Sequence, residues 1–176
     1  AHVHFLSRVP SPKIIMQALA EVKPYVIIAV PLVIEKIYKT KVKPILEKEG
    51  IKFLMKVPGL NQVLFNKVKT ELVNAFGGEF YEVIIGGAAF NKEVEAFFKK
   101  MAFPFTVGYG MTECAPIIAY DDWKEEKLYS CGKAAPNMEI RIDSSNPAEV
   151  PGEIQIKGAN VFLGYYKNEK ATAEVF

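Results

Sequence analysis

Over residues 1 to 110, short apolar runs alternate with amphipathic helical stretches. No other feature narrows the fold as far, because strands that alternate with helices build a parallel sheet with helices on its faces. The expected fold class is therefore α/β, with right-handed crossovers. Residues 2–6 read as a first strand. Ser11 then caps a helix with Pro12 at its first position, and Ile14, Ile15, Ala18, Leu19 and Val22 fall on one face. The run YVIIAV (25–30) is apolar and rich in β-branched residues, the pattern of a strand buried on both faces. Pro31 opens a second helix to about Tyr38, and Pro44 breaks or restarts it. Residues 60–76 form another helix, closed by Gly77 and Gly78. FYEVII (80–85) is a strand. Asn91 caps an amphipathic helix with Val94, Phe97, Phe98 and Met101 toward the core. FPFTV (103–107) is a strand again.

After residue 115 the character changes. KLYS, MEIRID and GEIQIKG read as short strands separated by Gly, Pro, Asn and Ser, with no convincing helix before the last ten residues. A division is expected near residue 130, between an α/β unit (1–130) and a small β-rich unit (131–176). The 176 residues suffice for a substantial core, and a net charge of +2 gives no electrostatic case for a nucleic-acid partner. Cys114 and Cys131 show neither metal spacing nor a disulfide framework, which favours a reducing, cytoplasmic setting. No apolar run approaches the ~20 residues that span a bilayer. The chain starts at Ala1 inside a strand-like run and stops abruptly at ATAEVF, so a piece of a longer protein is expected.

Two strands end in glycine-rich turns, VIIGGAAF and FTVGYGMTE. In a parallel sheet, ligands bind beyond the carboxyl ends of the strands. If the two strands are neighbours, Gly86, Gly87 and Ala88 lie beside Gly108, Tyr109 and Gly110. Glycines let a ligand approach the backbone. Tyr109 offers a face on which a base can stack. Thr112 offers a hydroxyl to a phosphate oxygen, and Glu113 a hard oxygen to Mg²⁺. The plainer alternative is two tight turns with incidental side chains. Neither stretch is a P-loop or a dinucleotide fingerprint.

IIGGAAFNKEVEAFF, FTVGYGMTECAPI and PGEIQIKGANVFLGYYKNEKATAEVF resemble, in order and separation, three motifs of the adenylate-forming (AMP-binding) enzymes. That superfamily includes acyl-CoA synthetases, luciferases and peptide-synthetase adenylation domains. The resemblance covers most of residues 22 to 176, and the long stretch from Ile37 to Phe80 looks like the long-chain fatty acyl-CoA synthetase branch. It implies that Gly86, Gly87 and Ala88 line the junction of acyl group and nucleotide. It implies that Tyr109 packs on adenine between Gly108 and Gly110, with Met111 in the same nucleotide step. Thr112 would contact the α-phosphate and Glu113 would ligate Mg²⁺, both in catalytic roles. Ala89 departs from the proline of many relatives. Gly152 to Tyr166 resemble the start of a β-barrel subdomain and are more structural than catalytic.

The same resemblance implies ATP, Mg²⁺ and coenzyme A as cofactor and co-substrates, and a long-chain fatty acid as partner. The family's phosphate loop is expected before Ala1. Its ribose-binding aspartate and its mobile domain with a catalytic lysine are expected beyond Phe176. The isolated chain is accordingly expected to be inactive. Aryl or short-chain acids, and a non-catalytic binding module on the same fold, are the alternatives. Seven lysines and three glutamates in residues 35–56 offer a peripheral membrane contact, but a solvated helix face is the preferred reading. His2 and His4 lack the further ligands of a metal site. Cys114 reads as a packing residue, Trp123 as a loop anchor, and Phe97, Phe98, Phe103 and Phe105 as core, with the border of an acyl tunnel as the alternative for some of them.

Overall fold

The structure, a computed structural model, describes residues 2–5, 11–55, 57 and 59–176. Helix α1 (Pro12–Val22) begins as the cap residues dictate: Ser11 Oγ accepts from Ile14 N at 3.3 Å, and Lys23 ends the helix in the left-handed region. Strand β1 (Val26–Ala29) follows, then α2 (Pro31–Ile37), a π turn (Tyr38–Val42) and α3 (Lys43–Leu46), where Pro44 restarts the helix. Helices α4 (Glu49–Leu54) and α5 (Leu60–Ala75) lead to β2 (Glu82–Ile85). Helix α6 (Lys92–Lys100) starts at Asn91, whose Oδ1 accepts from Glu93 N and Val94 N, and β3 (Phe105–Val107) comes next.

The three strands pair in parallel, in the order β1-β2-β3, as the strand–helix alternation requires. Their helices bury one continuous core. Val83 and Ile85 of β2 meet Phe65 and Leu72 of α5 and Phe98 of α6. Phe98 sits at the centre of an aromatic cluster, with ring centroids 4.8 Å from Phe103 and 5.7 Å from Phe105.

Two expectations for this half are corrected. Residues 2–5 are exposed and paired with no strand, and Leu6 lies outside the described residues. A strand exists through its partner, and none adjoins this stretch. Strand β1 is not buried on both faces: Ile27 is 8% exposed, but Ile28 is 79% exposed. The cause is one-sided cover: the core packs on its Ile27 face and leaves the Ile28 face open.

The remainder is antiparallel. Strand β4 (Tyr109–Gly110) pairs with β5 (Ile117–Tyr120), which pairs with β6 (Lys133–Ala134). Strands β7 (Met138–Asp143) and β8 (Glu153–Gly158) form a hairpin, and a short helix α7 (Glu169–Ala173) closes the chain. These are two small sheets, and no barrel closes among the described residues. KLYS (127–130) is a turn, not a strand: Ser130 N donates to Lys127 O at 3.0 Å. Tyr129 N donates to the Glu95 side chain of α6 instead of to a neighbouring strand. Strand β5, unforeseen from the sequence, takes the pairing role.

Candidate functional site

Strands β2 and β3 are neighbours, so their two glycine turns lie side by side at the carboxyl edge of the sheet. Gly108 N donates to Ile85 O at 2.9 Å, and Gly86 N donates to Ala29 O at 3.2 Å. A Cβ on Gly86 would stand 3.3 Å from Gly108 O, which shows how closely the turns pack. Gly87 has φ +87°, a conformation that favours glycine. Gly110 is demanded by the chain itself, because a Cβ there would overlap the Pro116 carbonyl.

A cavity of about 440 Å³ opens between the turns. Gly87, Ala88, Gly108, Tyr109 and Gly110 line it, as the sequence placed them together, whereas Gly86, Met111, Thr112 and Glu113 do not. Tyr109 and Met111 also pack on a second small core of Cys114, Ile118 and Ala119. Cys114 is thus the packing residue expected, and burial pushes its thiol up. A larger open depression, about 590 Å³, lies between Leu163–Tyr165 and α7 and shares no residue with the glycine turns.

Thr112 and Glu113 occupy a 3₁₀ turn (Thr112–Cys114) that leaves Thr112 exposed. Residues 160–165 brace this turn at three points. Asn160 Nδ2 donates to Cys114 O at 2.6 Å, Phe162 N donates to Glu113 O at 2.8 Å, and Tyr165 OH donates to Glu113 Oε1 at 2.6 Å. The Tyr165 bond holds the Glu113 carboxyl below the usual carboxylate range, so it stays anionic. Sequence reading treated this stretch as structural and missed its contact with Glu113, since the two residues are 52 positions apart.

The outer wall of the cavity was also missed. Tyr129, Ser130 and Cys131 form it, together with Lys92 and Glu95 of α6. Their loop (121–132) is fastened to the α/β layer by buried acids. Glu82 accepts from Trp123 N at 3.2 Å, Glu95 from Tyr129 N at 2.5 Å, and Glu126 pairs with Lys99 at 2.6 Å. Tyr81 OH donates to Asp122, which pushes the phenol up to about 12. Trp123 anchors the loop as expected, packing edge-on to Tyr81. Desolvation pushes the carboxyls of Glu82 and Glu95 up. Period 3.6 in α6 marks Val94 and Phe98 as core but gives no sign that Glu95 points inward.

Among the described residues no cluster of three or more His, Cys, Asp or Glu could hold a metal ion, His2 and His4 included. No helix of the described residues is long and apolar enough to cross a membrane.

The chain is 31% identical to long chain acyl-CoA synthetase 5 of Arabidopsis thaliana, over 93% of its own length and 28% of the relative's. It is 38% identical to a probable 4-coumarate–CoA ligase 2 of Dictyostelium discoideum over 61% of this chain and 21% of that protein. It thus spans between a fifth and a third of the length of these curated relatives. Its fold superposes on o-succinylbenzoate coenzyme A synthetase of Bacillus subtilis, solved in complex with ATP and magnesium ion. The TM-score is 0.61 at 21% identity, over 94% of this chain and 29% of that one. Residues 1–166 match the model of the AMP-binding enzymes, and with the two glycine turns side by side the chain belongs to that adenylate-forming family.

Proposed function

We propose that this chain forms the acyl–nucleotide junction of an ATP-dependent long-chain fatty acid–CoA ligase. The observation that carries the reading is the pairing of β2 with β3, which sets the GGAA turn beside the GYG step at one cavity, with Thr112 and Glu113 on the turn that follows. Long-chain acyl-CoA synthetases among the relatives support the substrate class. In this reading the fatty carboxylate attacks the α-phosphorus of ATP, and pyrophosphate leaves with the bonding pair. The thiolate of coenzyme A then displaces AMP to give the thioester.

Gly87 and Ala88 admit the reacting carboxyl group beside the backbone. Tyr109 supplies a face for adenine, with Gly86, Gly108, Gly110 and Met111 shaping the nucleotide side. Thr112, exposed on its turn, orients the α-phosphate by a hydrogen bond. Glu113, kept anionic and braced by Tyr165, holds Mg²⁺, which when bound neutralises phosphate charge.

The same reading makes Gly152 to Tyr166 the start of the family's β-barrel subdomain and puts the boundary between the α/β unit and the β-rich unit near residue 130. It gives the whole protein a cytoplasmic setting, keeps the lysine-rich stretch 35–56 as a solvated face, and leaves residues 1–176 alone without catalysis. A second reading, an aryl-acid ligase, is favoured by the higher local identity to the 4-coumarate–CoA ligase relative.

The test is acid-dependent ATP–pyrophosphate exchange by the full-length protein carrying this chain, with acids from acetate to palmitate and with aryl acids. Exchange that peaks with long-chain acids and drops at least ~100-fold in Glu113→Ala is expected. A peak with aryl acids would replace the substrate, and no exchange with any acid would leave a binding module.

A further inference from the structure

The outer wall of the cavity has a backbone that its side chain does not favour. Tyr129 has φ +64°, in the left-handed region where a bulky residue is uncommon. Its ring is 56% exposed, so core packing does not demand a tyrosine there. Two residues of α6, one turn apart, hold it. Glu95, 4% exposed, accepts from Tyr129 N at 2.5 Å. The Lys92 ammonium lies 5.6 Å from the Tyr129 ring centroid, within cation–π range. All three residues line the 440 Å³ cavity, opposite Gly87, Ala88 and Gly108. Ser130 Oγ accepts from Gly132 N at 3.1 Å and closes the turn behind them.

An aromatic ring held on a disfavoured backbone at a cavity rim is a constraint that a structural turn has no use for, since glycine or asparagine would make the same turn without strain. We propose that Tyr129 is a specificity-determining residue that limits how much acyl bulk the cavity admits, and that Glu95 is the positioning residue that keeps it there. The inference rests on the adenylation reading. It adds to that reading a reason for discrimination: acids that carry a rigid, wide group beyond the carboxyl meet the Tyr129 ring, whereas a flexible chain bends past it.

The experiment is ATP–pyrophosphate exchange by the full-length protein, with kcat/KM measured for palmitate and cinnamate. Wild type is compared with Tyr129→Asn, which tolerates the left-handed backbone, and with Glu95→Ala and Glu95→Gln. Tyr129→Asn is expected to raise the cinnamate-to-palmitate ratio about tenfold or more, the range that hydrophobic discrimination reaches. Glu95→Ala moves the ratio the same way. Glu95→Gln stays near wild type, because the amide oxygen still accepts from Tyr129 N. The KM for ATP is unchanged in all three.

A ratio that stays constant while both acids decline together would overturn the inference and leave the adenylation reading standing. Absence of exchange by wild type with every acid would overturn both. The melting temperature of Tyr129→Asn, expected at or above wild type, separates a loss of specificity from a loss of fold.

Discussion

Glu113 and Tyr165 show what a single contact adds to a motif. GYGMTE was recognisable as a sequence, but the bond from Tyr165 OH to Glu113 Oε1 joins residues 52 positions apart. In the full-length protein, Tyr165→Phe removes that donor and is expected to raise the Mg²⁺ concentration for half-maximal exchange about threefold, as the loss of one partly exposed hydrogen bond does. A magnesium titration of both proteins checks this, and a lower requirement would mean that Tyr165 competes with the cation. Gly110 answers differently from its motif neighbours. Its lack of a Cβ is imposed by the Pro116 carbonyl, so Gly110→Ala is expected to cost roughly 2 kcal/mol of stability through overpacking. Urea denaturation of the 176-residue chain measures it directly. Gly87 was legible as a turn glycine. The reason for Gly110 was not, because the strand that approaches it, β5, went unread.

At the scale of elements, the loop 121–132 is fastened to β2 and α6 by carboxylates that are buried on both counts: they leave solvent and bind backbone N–H groups. Glu82 and Glu95 have carboxyls pushed up, by desolvation first. The folded chain then binds protons more tightly than the unfolded chain between the ordinary value and the raised one. Their contribution to stability is therefore best at low pH and falls as pH rises through that window. Asp122 and Glu113 run the other way. Hydrogen bonds from Tyr81 and Tyr165 lower them, so their contribution is present above the ordinary carboxylate value and lost as pH falls through the lowered one. Glu95→Gln keeps the acceptor oxygen and cannot ionise. Its stability relative to wild type should grow between about pH 4 and pH 6, the range around an ordinary glutamate. Urea midpoints across that range would refute it if the two chains track each other. The helix caps at Ser11 and Asn91 were legible because capping is a matter of three or four adjacent residues. The turn at 127–130 was not, because apolar Leu128 and Tyr129 mimic a strand while Glu95 of α6 accepts from Tyr129 N.

At the scale of the whole molecule, the exposed face of β1 stands out. Val26, Ile28 and Val30 alternate onto that face, and Ile28 is 79% exposed. Parallel sheets are ordinarily covered on both faces, and an open edge strand invites pairing. The 176-residue chain is expected to associate as concentration rises, and Ile28→Lys to weaken that association without lowering the urea midpoint. Sedimentation velocity over a tenfold concentration range tests this. Equal association by both proteins would move the contact elsewhere on the surface.

By itself the sequence determined the α/β alternation, the positions of the caps, and the two glycine-rich turns at strand ends. Each of these follows from periodicity or from rules that act within a few residues. Tertiary structure alone decided that β1 lies at an edge, that Glu95 turns inward, that the loop 121–132 walls the cavity, and that Tyr165 meets Glu113. These depend on which distant segments share space. Burial and pairing are properties of contacts between residues tens of positions apart, and no local pattern records them.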